Sequence, residues 1–223
     1  ATRYLPGARD GWEWAVDDLR AWALGDATAD LPLAAFDEIG RITARMHLAL
    51  APGSTATIAT SALRDRARDA ITQAVDATEG DDRALLEAAR AEMESIVDSL
   101  GGDEATLPAQ AVHGDLHVGQ FLRTDDGRLL VTDFDGNPAL TAAQRWEPQP
   151  TARDVASMLA SIDHVARVVV YRTPGVDADR VHSWIAPAQQ AFLQSYRDLA
   201  GDLLGTSLLR PLQVEQECRE FTY

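Results

Sequence analysis

The 223-residue sequence predicts a mainly α-helical fold that contains one small β-hairpin. Alanine-rich segments studded with arginine, glutamate and aspartate carry apolar residues at helical spacing. Near the middle of the chain, two short apolar runs flank Asp125-Asp126-Gly127, which is a recognised signal for a hairpin turn. No linker, repeat or low-complexity tract divides the sequence, so we expect one domain over residues 1–223.

Helices are predicted on both sides of the hairpin from the spacing of apolar residues. The predicted helices cover residues 11–25, 33–50, 62–77, 81–100, 152–170, 177–200 and 206–223. Two of them end at helix-breaking signals, Pro52-Gly53-Ser54 and Gly101-Gly102. In the helix that starts near residue 152, five residues form an apolar stripe that we expect to face the core: Val155, Met158, Leu159, Ile162 and Ala166.

Composition and charge exclude several classes of function. The net charge of −15 argues against nucleic acid as a partner, because binding to its phosphates requires clustered Lys and Arg. The single cysteine, Cys218, excludes an internal disulfide framework and a cysteine-based zinc cluster. No apolar run approaches the roughly 20 residues that span a bilayer, so we expect no membrane partner and a cytoplasmic location.

The strongest chemical signal is HGDLHVGQ at residues 113–120, followed beyond the hairpin by Asp133-Phe134-Asp135-Gly136. Phosphoryl transfer to an alcohol needs a carboxylate that orients the hydroxyl and takes its proton. It also needs oxygen ligands that hold a divalent metal on the phosphates. Here a loop supplies Asp115 and the amide of Gln120, and a strand end supplies Asp133. We therefore predict that Asp115 and Asp133 face a shared cavity.

This arrangement resembles the catalytic loop and metal-binding motif of the aminoglycoside phosphotransferase and kinase-like superfamily. In that family an HGD segment replaces the HRD of protein kinases, and D-x-D or D-x-E replaces DFG. The resemblance implies that Asp115 is the catalytic base, that Gln120 takes the place of the usual metal-binding Asn, and that Asp133 is the main Mg²⁺ ligand. It implies Asp135 as a second ligand or a substrate contact, and His113 as a residue that fixes the loop.

Two further stretches extend the resemblance. Arg153-Asp154-Val155 matches the R-D-hydrophobic helix start that supports the catalytic loop, and residues 156–164 continue as in bacterial maltokinases. The opening segment, Arg3-Tyr4-Leu5-Pro6-Gly7-Ala8, resembles the stretch that follows the hinge between the two lobes of these sugar kinases. The implied fold is the helical C-terminal lobe of a protein-kinase-like (aminoglycoside phosphotransferase) fold, without its N-terminal lobe. Its implied parts are a post-hinge segment at 1–10, catalytic and metal-binding loops at 111–138, and acceptor-side helices at 151–223.

The acceptor side departs from the maltokinase pattern. Maltokinases typically carry D-F-E-G-E-P where this chain has Asp133-Phe134-Asp135-Gly136-Asn137-Pro138, and the late segment QVEQECREFTY resembles actinobacterial glucosamine kinases. The resemblance implies ATP-dependent phosphorylation of the 6-hydroxyl of glucosamine. Carboxylates attract a protonated amine by ~1 to 4 kcal/mol in a partly desolvated site. Four carboxylates are the candidate contacts: Asp135, Asp163, Glu215 and Glu220.

All twenty basic residues are arginine. Kinases of this fold hold the α- and β-phosphates with a lysine from a strand of the N-terminal lobe, beneath a covering loop. Because the sequence has neither a lysine nor a G-x-G-x-x-G or Walker A segment, we expect a missing N-terminal lobe to complete the nucleotide site. We expect this chain to be inactive or nearly so by itself.

Two alternatives stay open at this point. Within the enzyme class, the chain can belong to a maltokinase or an aminoglycoside phosphotransferase that acts on another hydroxyl. From a different class, it can be a non-catalytic helical interaction module that retains kinase-like motifs. For Arg153 and Asp154, the expected role is structural support in either case.

Overall fold

The computed structural model describes residues 5–25, 30–51, 56–101, 105–138 and 140–221. Nine α-helices and two small antiparallel sheets lie within these ranges, which confirms the prediction of a mainly helical fold. No helix in the described ranges is both long and apolar enough to cross a membrane. The predicted helix break at 52–54, Gly102 and the first four residues of the post-hinge segment lie outside the described residues.

Most helices lie within a few residues of their predicted positions. The helices are α1 (Gly11–Ala23), α2 (Ala34–Leu50), α3 (Thr60–Ala77), α4 (Gly80–Asp98), α5 (Ala142–Arg145), α6 (Ala152–Arg172), α7 (Ala178–Ser183), α8 (Ile185–Ala200) and α9 (Leu209–Glu220). The strands are β1 (Thr57–Ala59), β2 (Thr106–Pro108), β3 (Phe121–Arg123) and β4 (Leu129–Val131). Strands β3 and β4 form the predicted hairpin, in which Phe121 pairs with Val131.

Three features differ from the prediction, and the first is the short helix α5, which was not predicted. The segment expected as one helix over 177–200 forms two helices, α7 and α8, which meet at Trp184. Strands β1 and β2 form a second sheet that was not predicted, with Thr57 opposite Pro108. These strands are far apart in sequence, so no turn signal joins them.

Helix α6 lies at the centre of the core. All five residues of its predicted apolar stripe are buried, which confirms that the stripe faces inward. Helices α1, α8 and α9 pack against α6, and α2 packs along α8. The largest buried side chains join these helices, among them Trp14, Phe36 and Trp184, whose rings contact one another in sequence order. This core fixes the start of α6, from which the functional site is built.

Helix α1 packs directly against the loop at residues 113–120, which is called the catalytic loop after its predicted role. Asp10 caps the N-terminus of α1, because the Asp10 carboxylate accepts a hydrogen bond from the Glu13 N–H at 3.1 Å. At Gly11 the helix touches the loop backbone so closely that a Cβ atom would lie 1.7 Å from the carbonyl oxygen of Val118, so only glycine fits. Just before the helix, Arg9 forms a two-way backbone bridge with Arg123 of the hairpin, with N···O distances of 2.9 and 2.8 Å.

Candidate active site

Asp154 holds the backbone of the catalytic loop from the first turn of α6. Its side chain is fully buried, and its two oxygens accept hydrogen bonds from the backbone N–H groups of His113, at 2.7 Å, and Gly114, at 2.9 Å. These bonds fix the loop immediately before Asp115. The motif of Arg153 and Asp154 was expected to support this loop, and Asp154 occupies a supporting position.

A buried histidine that was not predicted from the sequence completes the surroundings of Asp154. Nε2 of His47 lies 2.9 Å from Asp154, and its Nδ1 lies 2.8 Å from the hydroxyl of Tyr196. Because a carboxylate only accepts, Nε2–H of His47 is the donor to Asp154, and Nδ1 shares a hydrogen bond with the Tyr196 hydroxyl. Burial raises the pKa of Tyr196 to about 12, so its hydroxyl keeps its proton.

Asp154 stays ionised although no water reaches it. Burial by itself would raise its pKa, but the hydrogen bonds from His47 and from the Gly114 backbone outweigh burial and hold the pKa below its usual value. A permanent negative charge thus anchors the loop.

Arg153 points to a second buried carboxylate, Glu215 of α9. Both of its terminal nitrogens bond the Glu215 oxygens at 3.1 Å, and Arg219 approaches the same carboxylate at 2.7 Å. The side chain of Glu215 is 0% exposed, and the charges of Arg153 and Arg219 lower its pKa against the opposite effect of burial. The prediction that Glu215 contacts the substrate amine is therefore wrong: this carboxylate is enclosed by arginines and joins α9 to α6.

The catalytic loop opens on a cavity of about 260 Å³, named here the Asp115 pocket. The loop, the segment after the hairpin and helices α1, α6 and α9 all contribute to its wall. Its lining residues are Trp12, Asp115, His117, Asn137, Pro138, Ser157, Ala160, Ser161, His164, Gln216 and Glu220. Of the four carboxylates predicted to contact an amine, Glu220 is the one that lies in this wall.

Asp163 was predicted to contact the substrate and does not line the Asp115 pocket. It forms an ion pair with Arg167, one helical turn further along α6. The helix instead presents Ser157, Ser161 and His164 to the cavity. A substrate contact by Asp163 therefore stays a prediction, and the residues that α6 presents to the Asp115 pocket are others.

Asp115 is half-buried, and its carboxylate accepts no hydrogen bond from the described residues. Burial raises its pKa and is the largest influence on it, and the charge of Asp133 raises the pKa further. Asp133 has this effect without lining the Asp115 pocket, so a cavity shared by the two carboxylates stays a prediction. A carboxylate with a raised pKa and free lone pairs is suited to accept a proton from a ligand.

The segment after the hairpin presents Asp133 and Asp135 to solvent. Asp133 has a φ of 62°, the one positive value at a non-glycine residue among those described. Such a backbone costs of order 1–3 kcal/mol and is typical of functional sites. His113 ties this segment to the loop, because its Nε2 lies 2.8 Å from the Thr132 carbonyl oxygen and its ring packs on Phe134.

The oxygen donors fit a magnesium ion that arrives with a nucleotide. Within the described ranges, no three His, Cys, Asp or Glu side chains form a ready metal centre. Mg²⁺ usually takes only one or two protein carboxylates and fills its octahedron with phosphate oxygens and water. Asp133 offers an exposed carboxylate, and Gln120 offers a side-chain amide whose backbone is fixed by the Thr132 N–H at 2.9 Å. Asp135 is exposed as well.

A smaller cavity of about 100 Å³ adjoins the Asp115 pocket and shares Asn137, Ser157 and Gln216 with it. Arginines line it, namely Arg66, Arg145, Arg153 and Arg219. Their carboxylate partners are Glu147 and Glu215, so much of this positive charge is neutralised. Asp115 does not line this cavity, which makes it the weaker candidate for catalysis.

Sequence reasoning missed several residues of the site. Trp12, His164 and Gln216 line the Asp115 pocket, and His47 supports the loop. Helical spacing offered one usable signal, because Gln216 stands one turn before Glu220. No signal identified His47, since a single histidine on an apolar helix has no recognisable pattern.

Comparisons with known proteins agree with this geometry. The model of the phosphotransferase enzyme family (APH) matches residues 15–193. The chain is 47% identical to a glucosamine kinase of Streptacidiphilus jiangxiensis and 40% identical to one of Mycolicibacterium smegmatis, in both cases over 99% of its length. It covers 52% and 56% of these two proteins, so it spans about half the length of the relatives it matches.

Solved structures show the same relationship. A glucosamine kinase in complex with glucosamine, ADP and inorganic phosphate superposes with a TM-score of 0.92 at 46% identity. The match covers 99% of this chain and 57% of that one. Because the family model matches most of its length, the chain belongs to the phosphotransferase enzyme family.

Proposed function

We propose that the protein containing this chain transfers the γ-phosphoryl group of ATP to the 6-hydroxyl of glucosamine. This chain supplies the catalytic base, the metal ligands and the acceptor site. One observation carries the proposal: Asp115, with a free carboxylate and a raised pKa, faces the same pocket as Glu220 and lies within electrostatic reach of Asp133. The proposed base and the proposed amine-binding carboxylate thus line one cavity, and the charge of the proposed metal ligand acts on the base.

Asp115 acts on the acceptor hydroxyl. Its carboxylate takes the hydroxyl proton as the sugar oxygen bonds to the γ-phosphorus, while the bond from that phosphorus to the β-phosphate oxygen breaks and ADP leaves. The backbone bonds from Asp154 hold the loop in place, so the base needs no rearrangement.

The metal ligands in the proposed function are Asp133 and Gln120, with Asp135 as a further ligand or an acceptor contact. Mg²⁺ bound by these oxygens supplies neutralisation of the phosphate charge. Exposure supports giving the role of metal ligand to Asp133 and Asp135 and the role of base to Asp115. Asp133 and Asp135 are exposed to solvent, whereas Asp115 forms part of the pocket wall.

The acceptor pocket carries the charge and the polarity that an amino sugar requires. Glu220 provides the carboxylate for the protonated amine, at the end of α9. Ser157, Ser161 and Asn137 provide hydroxyl and amide groups for sugar hydroxyls. Residues 151–223 therefore form the acceptor side in this proposal, together with the loops at 111–138.

The relatives support the choice of substrate. Two proteins with 47% and 40% identity are glucosamine kinases, and the solved complex contains glucosamine, ADP and inorganic phosphate. ADP is the product expected from ATP, which supports ATP as the phosphoryl donor.

The nucleotide site of the proposed enzyme draws on residues outside this chain. The 223 residues contain no lysine, whereas related kinases hold nucleotide phosphates with one. We propose that this lysine belongs to an N-terminal lobe of the intact enzyme. In that enzyme, residues 1–10 follow the hinge between the two lobes. A cytoplasmic location agrees with the use of ATP and with a single buried cysteine.

An acceptor series tests this function in the intact enzyme. Glucosamine, glucose, maltose and an aminoglycoside are compared as acceptors with MgATP, and kcat/KM is measured for each. We expect glucosamine to exceed glucose by roughly 5-fold to several hundred-fold, which corresponds to ~1 to 4 kcal/mol for the charge on the amine. A higher kcat/KM for maltose or the aminoglycoside would refute the proposed substrate.

The variant Glu220→Gln, assayed with the same acceptors, tests whether Glu220 binds the amine of glucosamine. It should lower kcat/KM for glucosamine and leave that for glucose nearly unchanged, because only the ammonium group loses its counter-charge. Glu94→Gln is the matched control, since Glu94 is an exposed partner of Arg90 on α4. Equal losses for both sugars would show that Glu220 does not select the amine.

A further inference from the structure

His117 lies between the backbone of Gly119 and the side chain of Gln120, and these neighbours determine where its proton is. The Gly119 N–H donates a hydrogen bond to Nδ1 at 3.0 Å. Nδ1 must therefore hold a lone pair, which excludes the doubly protonated ring. A neutral imidazole whose Nδ1 is an acceptor carries its proton on Nε2.

The proton on Nε2 decides how the amide of Gln120 is oriented. The Gln120 amide nitrogen lies 3.2 Å from Nε2 of His117, and two N–H groups cannot form a hydrogen bond. Rotation of the amide by half a turn about its last bond exchanges its oxygen and nitrogen at nearly the same positions. The carbonyl oxygen then accepts the Nε2–H, and both ring nitrogens have complementary partners.

We infer that His117 is a positioning residue that donates from Nε2 to the side-chain oxygen of Gln120 and so orients that oxygen as a magnesium ligand. The inference rests on the proposed function and deepens it. An amide oxygen has two lone pairs, so it accepts from His117 with one and offers the other to the metal. Groups that hydrogen-bond to metal ligands fix the orientation of those ligands in this way.

The ring of His117 is held in the plane that this bond requires. The indole of Trp12 stacks on it with ring centroids 6.1 Å apart and an angle of 29° between the planes. Gly119 leaves the necessary room, because a Cβ atom there would lie 2.7 Å from the Trp12 ring and 2.8 Å from Cε1 of His117. With both ring nitrogens engaged, His117 is also removed as an alternative base beside Asp115.

Nitrogen NMR of the intact enzyme tests the tautomer without any turnover. Five histidines occur in this chain, and the spectrum of His117→Asn identifies the His117 signals in protein labelled with ¹⁵N-histidine. We expect a pyridine-type Nδ1 and a pyrrole-type Nε2 in the metal-free enzyme at neutral pH. A protonated Nδ1, in either the other tautomer or the imidazolium, would overturn the inference whatever sugar the enzyme uses.

Two substitutions of His117 separate its two hydrogen bonds. In His117→Asn the side-chain oxygen replaces Nδ1 and still accepts from Gly119, but the donor to Gln120 is lost. In His117→Gln the amide nitrogen reaches the position of Nε2 and keeps that donor. The readout is the affinity of the enzyme for Mn²⁺ with ADP, measured by electron paramagnetic resonance, with thermal unfolding as the check on folding.

We expect His117→Asn to weaken Mn²⁺ binding about 10- to 100-fold, and His117→Gln to recover most of this loss. Equal losses in the two variants, or no loss in His117→Asn, would contradict the positioning role. Because neither measurement requires phosphoryl transfer, failure of this inference can be distinguished from failure of the proposed substrate.

Discussion

Asp154 and Asp115 are carboxylates of the same site whose pKa values are shifted in opposite directions. Asp154 accepts hydrogen bonds from two backbone N–H groups and from His47, and its pKa is lowered although it is fully buried. Asp115 is only half-buried, accepts no hydrogen bond from the described residues, and has a raised pKa. The hydrogen-bond donors around a carboxylate, more than its degree of burial, determine whether it stays ionised or can exchange a proton.

The variant Asp115→Asn removes the exchanging carboxylate and should have the largest effect. General-base catalysis contributes about 10²- to 10⁴-fold, so we expect kcat of the intact enzyme to fall by that factor with its fold unchanged. Steady-state kinetics measures the fall in kcat, and circular dichroism checks that the fold is unchanged. Unchanged turnover would remove Asp115 from the mechanism.

The variant Asp154→Asn removes the permanent charge and should act mainly on stability. Asn has one accepting oxygen, and its NH₂ group is a donor that would face either His47 or a loop N–H, which are donors too. We therefore expect a loss of ~3 kcal/mol in the free energy of unfolding. Urea unfolding of the intact enzyme measures this, with Asp98→Asn as a control at an exposed ion pair with Arg68. A loss no larger than in the control would show that Asp154 is not an anchor.

The smallest expected effect is a difference in pH dependence between the two carboxylates. Because the pKa of Asp115 is higher in the folded than in the unfolded protein, its contribution makes stability fall as pH rises between the unfolded and folded values. Asp154 contributes in the opposite direction: its stabilisation is present above the unfolded pKa and is lost as pH falls through the lowered folded value.

Unfolding midpoints of the intact enzyme at several pH values check these signs. At neutral pH, Asp115→Asn should be more stable than the wild-type enzyme, and this advantage should disappear in acid. A variant that is less stable than wild type at neutral pH would contradict the account of Asp115.

The sequence was sufficient to predict the parts of the fold whose signals are local. Periodic apolar residues located most helices, and the Asp125-Asp126-Gly127 turn located the hairpin. The pairing of β1 with β2 was missed because it joins short strands separated by two helices. It depends on tertiary contacts that no local pattern records.

The same limit applies to the site. The motif at 113–120 identified the loop, but spacing on a helix tells which residues share a face and not which face is turned inward. Glu220 shares its face of α9 with Gln216, and Glu215 shares another with Arg219, so only packing could separate the pocket residue from the buried ion pair.

The backbone contact at Gly11 has a mechanical consequence. The carbonyl of Val118 leaves no space between α1 and the turn that precedes β3, and the bridge from Arg9 to Arg123 ties the chain before α1 to the same hairpin. The entry segment, helix α1 and this turn are therefore joined without a gap. Since Asp154 holds the same loop from α6, the loop is fixed from two sides of the fold.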